Sequence, residues 1–163
     1  MEYYKGRIYP HSTPEFRIFV KQDGTQELQL RYINIAQGYQ SLTNNITGCN
    51  NFSSGPYSLN SNSIGSNNSA IGFSALLNNT YGINNIAHGC NSLYSNTTGN
   101  YNSAVGLQAL YSNTTGSGNS AVGQSALFYN TTGTNNSAIG QCALYCNTTG
   151  YQNSAMGANA LRN

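Results

Sequence analysis

His88, four cysteines and one column of aromatic rings are the groups between Asn34 and Asn163 whose chemistry goes beyond simple hydrogen bonding. Catalysis needs several titratable groups converging on one pocket. The carboxylates Glu2, Glu15, Asp23 and Glu27 all lie within the first 27 residues, which leaves His88 without a carboxylate close to it in the chain. It reads as a stacked or partner-facing histidine rather than as half of a catalytic pair, and no Ser/His/Asp arrangement is supported. The expectation is a protein that is not an enzyme and takes no cofactor. Cys49, Cys90, Cys142 and Cys146 form no C-x-x-C pair, and His11 and His88 stand outside metal-ligand spacing, so no metal site is expected. Cys142 and Cys146 form a candidate disulfide across a corner, but small buried space-fillers are the leading reading of the cysteines.

Tyr94, Tyr111, Phe128 and Tyr145 recur every 17 residues. Such a column is a candidate contact stripe for surface glycans or for a protein, although tyrosines stacked at strand spacing also stabilise a sheet with no ligand. Acceptor sequons N-x-[ST] occur at Asn45, Asn51, Asn67, Asn78, Asn96, Asn113, Asn130, Asn135 and Asn147. The repeat itself generates them, so ladder asparagines are the leading reading over glycan acceptors.

What positions these groups is a tandem repeat. With each Asn of an N-x-[AS]-x-G block at the head of a 17-residue line, the heads are Asn34, Asn51, Asn68, Asn85, Asn102, Asn119, Asn136 and Asn153. Column 5 is then always Gly and column 9 always Leu, while column 12 is Asn and column 15 Gly in every copy that reaches them. Two glycines in so short a unit leave no room for two helices of several turns each. The unit fits two short strands and two corners, with Gly supplying positive φ and Asn tolerating it. This predicts an all-β parallel solenoid of about eight coils, roughly 38 Å long at a rise of about 4.8 Å. The expected corner and ladder residues include Asn68, Gly72, Asn102, Gly106, Asn119, Gly123, Asn136 and Gly140, together with Asn113, Gly116, Asn130 and Gly133. Leu76, Leu93, Leu110, Leu127 and Leu144 are the expected core.

The charge distribution agrees. Charged residues make up 6% of the chain, and residues 32–161 contain no Asp, Glu, Lys or Arg, against roughly 25% in an ordinary domain. In a parallel stack every side chain sits above its copy in the next coil, where a charge would meet like charge at about 5 Å. Neutral Asn, Ser and Thr instead hydrogen-bond along the column. No basic stripe exists to track a phosphate backbone, which argues against nucleic acid as a partner. A mean hydropathy of −0.42 and the lack of an apolar run near 18 residues argue against membrane insertion.

Columns 2 and 4, which share a face at period 2, trade bulk. Ile35, Phe52 and Ile86 in column 2 accompany Gln37, Ser54 and His88 in column 4, whereas serines in column 2 accompany Ile71, Val105, Val122, Ile139 and Met156. A space of fixed volume explains the exchange. The pattern leaves open whether that space is the inside of one solenoid or a seam between protomers.

Residues 16–33 alternate in strand fashion on both sides of Asp23-Gly24, a hairpin turn signal. Residues 1–33 are expected to form a hairpin cap or attachment segment, and residues 34–163 the solenoid. The first residues, MEYYKGRIYP, lack the apolar core of a secretory signal. The last copy stops at column 11, an end expected to be open to stacking on another subunit.

The block N-S-A-[VI]-G-x-x-A-L-Y-S-N-T-T-G, seen at Asn102–Gly116 and with changes at Asn119–Gly133 and Asn136–Gly150, resembles repeats of trimeric autotransporter adhesin heads and of viral or phage tail-fibre proteins. The stretch PEFRIFVKQDGTQELQLRYINIAQGYQ looks like a short module of proteins from large DNA viruses of protists and algae. The resemblance implies trimerisation and display on a virion or extracellular appendage. The expected function is a homo-oligomeric structural fibre or shaft. The alternatives are a functional-amyloid-like filament joined end to end, and a glycan-binding adhesin using the Tyr94 to Tyr145 column.

Overall fold

The computed structural model describes residues 15–20, 26–31 and 34–163. Two antiparallel strands open it, β1 (Glu15–Val20) and β2 (Gln26–Arg31), with Glu15 opposite Arg31 and Val20 opposite Gln26. The Asp23-Gly24 turn and the capping of the first coil by this segment lie outside the described residues.

Eight three-residue strands follow, one per copy of the repeat: β3 (Ile35–Gln37), β4 (Phe52–Ser54), β5 (Ser69–Ile71), β6 (Ile86–His88), β7 (Ser103–Val105), β8 (Ser120–Val122), β9 (Ser137–Ile139) and β10 (Ser154–Met156). They form one parallel sheet in strict sequence order, and every residue pairs with its own column in the next coil, as Ala104 does with Ala121. The chain is therefore an all-β parallel solenoid. Each coil has one strand, at columns 2 to 4, rather than the two that the repeat length suggests. Turns and bends close the rest of the coil, and they too are bonded from coil to coil: the Leu110 amide donates to the Ala126 carbonyl at 3.0 Å and the Thr114 amide to the Thr131 carbonyl at 2.9 Å. Backbone pairing thus holds every side of the coil without strand geometry on every side.

The core is narrow. Column 3, mostly alanine, and the small residues of column 8 point inward with the column 9 leucines, and Leu59, Leu76, Leu93, Leu110 and Leu127 are fully buried. Leu144 is nearly so, which places all five expected core leucines inside. These leucines occupy left-handed backbone, Leu110 at φ 51° and Leu127 at φ 51°. That conformation costs a non-glycine residue roughly 1–2 kcal/mol, and complete burial of a leucine offsets it with about 1.5–3 kcal/mol.

The polar part of the core is two asparagine ladders. In column 1 the Asn102 amide donates to Asn85 Oδ1 at 3.0 Å, and the Asn119 amide in turn donates to Asn102 Oδ1 at 3.0 Å. In column 12 Asn113 Nδ2 donates to Asn96 Oδ1, and Asn130 Nδ2 to Asn113 Oδ1, both at 2.9 Å. The ladders meet at column 15, where each glycine carbonyl accepts from both: Gly116 from Asn102 and Asn113, Gly133 from Asn119 and Asn130. Among the described residues no buried side-chain nitrogen or oxygen lacks a partner.

This geometry divides the expected corner glycines into two kinds. Column 5 has the predicted positive φ, 126° at Gly72, 136° at Gly106, 128° at Gly123 and 129° at Gly140, a region open essentially to glycine alone. Column 15 does not have it. There glycine is required by crowding, because a Cβ on Gly116 would collide with Asn113 Oδ1 and the Gly133 carbonyl. The left-handed corners fall instead on columns 7, 9 and 17, for example Gln108 (φ 56°), Leu110 and Tyr101 (φ 57°).

Candidate functional site

Side chains of columns 2 and 4 point away from the core, because column 3 between them points in. The exchange of bulk read in the sequence therefore takes place on the outside of the solenoid. Each coil holds one large apolar side chain there: Ile35, Phe52, Ile71, Ile86, Val105, Val122 and Ile139 are 38–49% exposed, and Met156 is 79% exposed. Single exposed apolar residues are ordinary on any protein. An uninterrupted row of eight, roughly 34 Å long at a rise of about 4.8 Å, is not, and a contiguous apolar surface of this kind marks a contact site. The other exposed apolar groups build no row through all eight coils: Tyr39, Phe73 and Leu107 share column 6 but alternate with Pro56 and Cys90, and Ile64 and Tyr81 share column 14.

His88 lies on this same face. Its Nε2 is 3.1 Å from Ser69 Oγ, in the preceding coil. The imidazole thus leans into the room that a serine leaves in column 2. In the sheet register His88 stands between Ile71 and Val105.

The aromatic column forms a true ladder. Tyr94 and Tyr111 stack with centroids 5.0 Å apart and planes 8° apart; Tyr111 and Phe128 stack at 5.0 Å and 4°, Phe128 and Tyr145 at 5.2 Å and 19°. Tyr129, whose sequence position gave no sign of it, adds edge contacts to Phe128 at 4.8 Å and to Tyr145 at 5.2 Å. Arg162 closes one end, its Cζ 5.4 Å from the Tyr145 centroid, a cation–π distance. Burial, then the charge and hydrogen bond of Tyr129, then Cys142 push the Tyr145 phenol above its usual range, against the opposing pull of Arg162. Ring faces within the ladder are turned toward one another. The two inner rings, Tyr111 and Phe128, thus have both faces covered, whereas Tyr94 at the start of the stack has a ladder neighbour on one face only.

The candidate Cys142–Cys146 disulfide is not formed, and all four cysteines carry free thiols. The two flank the inward-pointing pair Ala143 and Leu144; Cys142 is half-buried and Cys146 exposed. Nor are the cysteines buried space-fillers, because none of the four is buried: Cys49 is half-buried like Cys142, and Cys90 is exposed like Cys146. Of the sequon asparagines, Asn51, Asn96, Asn113 and Asn130 are buried in the ladders, whereas Asn67 and Asn135 are exposed.

No protein-family model, curated protein or solved structure matches the chain. Its class rests on the fold and this surface: a tandem-repeat parallel β-solenoid with an apolar outer row.

Proposed function

We propose that the chain is a structural protein, a fibre or shaft segment that associates with copies of itself along the face of columns 2 and 4. The observation that carries this reading is the single large apolar side chain that every coil holds on that outer face. Inside one chain nothing constrains the volume of an outward-pointing row. A neighbour with the same rise does. An identical chain is such a neighbour, because it presents the same groups at the same intervals of about 4.8 Å. Around an axis parallel to the solenoid, each residue would also meet its own copies. The charge-free stretch of residues 32–161 avoids the like-charge contacts this creates.

Burying what remains exposed of these side chains is worth on the order of 1 kcal/mol per coil. Association costs about 4–15 kcal/mol, so most of the row must be engaged at once. A rigid, neutral rod of this kind suits a spacer at the surface of a virion or cell, the setting that the resemblance to tail fibres and adhesin heads implies.

Mass measurement and negative-stain microscopy of the full chain test the proposal. The expected result is a discrete oligomer, a trimer if the resemblance to trimeric adhesin heads extends to stoichiometry. Long unbranched fibres would favour the amyloid-like filament instead, and a monomer at micromolar concentration would end the self-assembly reading.

A further inference from the structure

The solenoid carries two aromatic runs that do not join. In the first, Tyr39 meets Tyr57 edge-on at 5.4 Å and Tyr57 meets Phe73 edge-on at 5.8 Å, so the rings climb three coils and stop. The second is the stacked ladder that begins at Tyr94. Between them the coil headed by Asn85 carries Cys90 and Asn91 in columns 6 and 7, small residues where the preceding coils carry Phe73 and Tyr57. The missing bulk leaves an open hollow of about 410 Å³, walled by Tyr57, Phe73, Leu77, Tyr94 and Tyr111 with Asn91 and Ser74 among its lining.

The chemistry of this hollow is specific. Its walls are aromatic and aliphatic, and no charged residue lines it. Its polar groups are a hydroxyl, phenols and one carboxamide. Among the described residues the ladder asparagines commit their carboxamides to the column 15 carbonyl of their own coil and to the next coil, whereas the Asn91 side chain enters no hydrogen bond within residues 34–163. The left-handed backbone of Asn91, φ 55°, accounts for an asparagine in column 7 but leaves its amide free to recognise something else. Phe73 is half-exposed, and Tyr94, the first ring of the ladder, has a ladder neighbour on one face only. An aromatic wall beside free amide and hydroxyl groups, without charge, matches an amphipathic disc that has C–H groups on its face and hydroxyls at its rim. Apolar walls with a few placed polar groups are what a binding site of this size uses.

We propose that the hollow between Phe73 and Tyr94 binds a neutral hexose unit of a glycan. The site lies at the start of the Tyr94 to Tyr145 ladder and shares Tyr94 and Tyr111 with it. It lies on columns 6, 7 and 10, apart from columns 2 and 4, and does not depend on association of copies.

A glycan array of neutral and sialylated hexose oligosaccharides, probed with the full chain, tests it. Retention on neutral glycans is expected. Phe73→Ala should weaken it about tenfold, the loss of an aromatic contact of roughly 1.4 kcal/mol, and Asn91→Ala should weaken it comparably. Tyr151→Ala, at an exposed ring that does not line the hollow, should leave it unchanged, with circular dichroism confirming that each variant keeps the wild-type fold. Retention on no glycan, retention confined to sialylated glycans, or equal loss in Tyr151→Ala and Phe73→Ala would each overturn the proposal.

Discussion

Asn102 and Asn113 donate to one acceptor, the carbonyl oxygen of Gly116, at 2.8 and 2.9 Å. The same junction recurs at Gly65, Gly82, Gly99 and Gly133, so the two ladders form one connected buried network. Removing one member leaves buried partners unsatisfied, at about 1–3 kcal/mol per group. Asn113→Ala is expected to cost about 2–4 kcal/mol in urea unfolding, whereas the exposed Thr115→Ala should change stability by about 0.5 kcal/mol or less. Equal effects would mean that the network is not what holds the coil.

Column 9 supplies an internal control. Leu110 is fully buried and Leu161 is 61% exposed, although both hold the same left-handed backbone, at φ 51° and 46°. Leu110→Ala should cost about 2–5 kcal/mol, and Leu161→Ala about 0.5 kcal/mol or less. Thermal or urea denaturation of the two variants separates burial from backbone strain as the reason for leucine in this column.

The charge-free ladder has its own test. Thr115 and Thr132 are exposed and occupy the same column of adjacent coils. Thr115→Glu and Thr132→Glu should each be tolerated singly. Together they should be less stable than the sum of the single effects by up to about 1 kcal/mol, and added salt should shrink the difference. Strict additivity at low salt would contradict like-charge repulsion as the cause of the missing charges.

Tyr145 makes the aromatic ladder visible to pH. Its phenol is raised above the usual value, chiefly by burial and by Tyr129. A raised phenol is held neutral by the fold. Its contribution to stability is therefore complete below the unfolded value near 10 and is lost as pH rises through the folded value. Tyr129→Phe should bring the Tyr145 ionisation to lower pH, read from absorbance titrations of the variant beside the wild type.

The period, the parallel in-register stacking and the buried leucines were legible because a 17-residue repeat without insertions leaves little freedom: columns must stack on themselves. Other features were hidden for identifiable reasons. A period of two shows that columns 2 and 4 share a face, but not which face, since that depends on how the remainder of the coil closes. Glycine in column 15 looks like glycine in column 5, although Gly116 is excluded from carrying a side chain by Asn113 and Gly133 while Gly106 is needed for its φ. Left-handed leucine contradicts local preference and emerges only from packing. The roles of Arg162 and Tyr129 at the end of the ladder rest on neighbours brought together by the stack, with no column pattern to announce them.

If the outer row of columns 2 and 4 is a self-association surface, sedimentation of the wild type beside Val122→Glu tests it most directly. Val122 points outward and is 40% exposed, so the variant should keep the circular dichroism of the wild type. The expected result is a wild-type oligomer that Val122→Glu converts to monomer. An oligomer of unchanged mass in the variant, or a wild type that is already monomeric, would contradict self-association through this row.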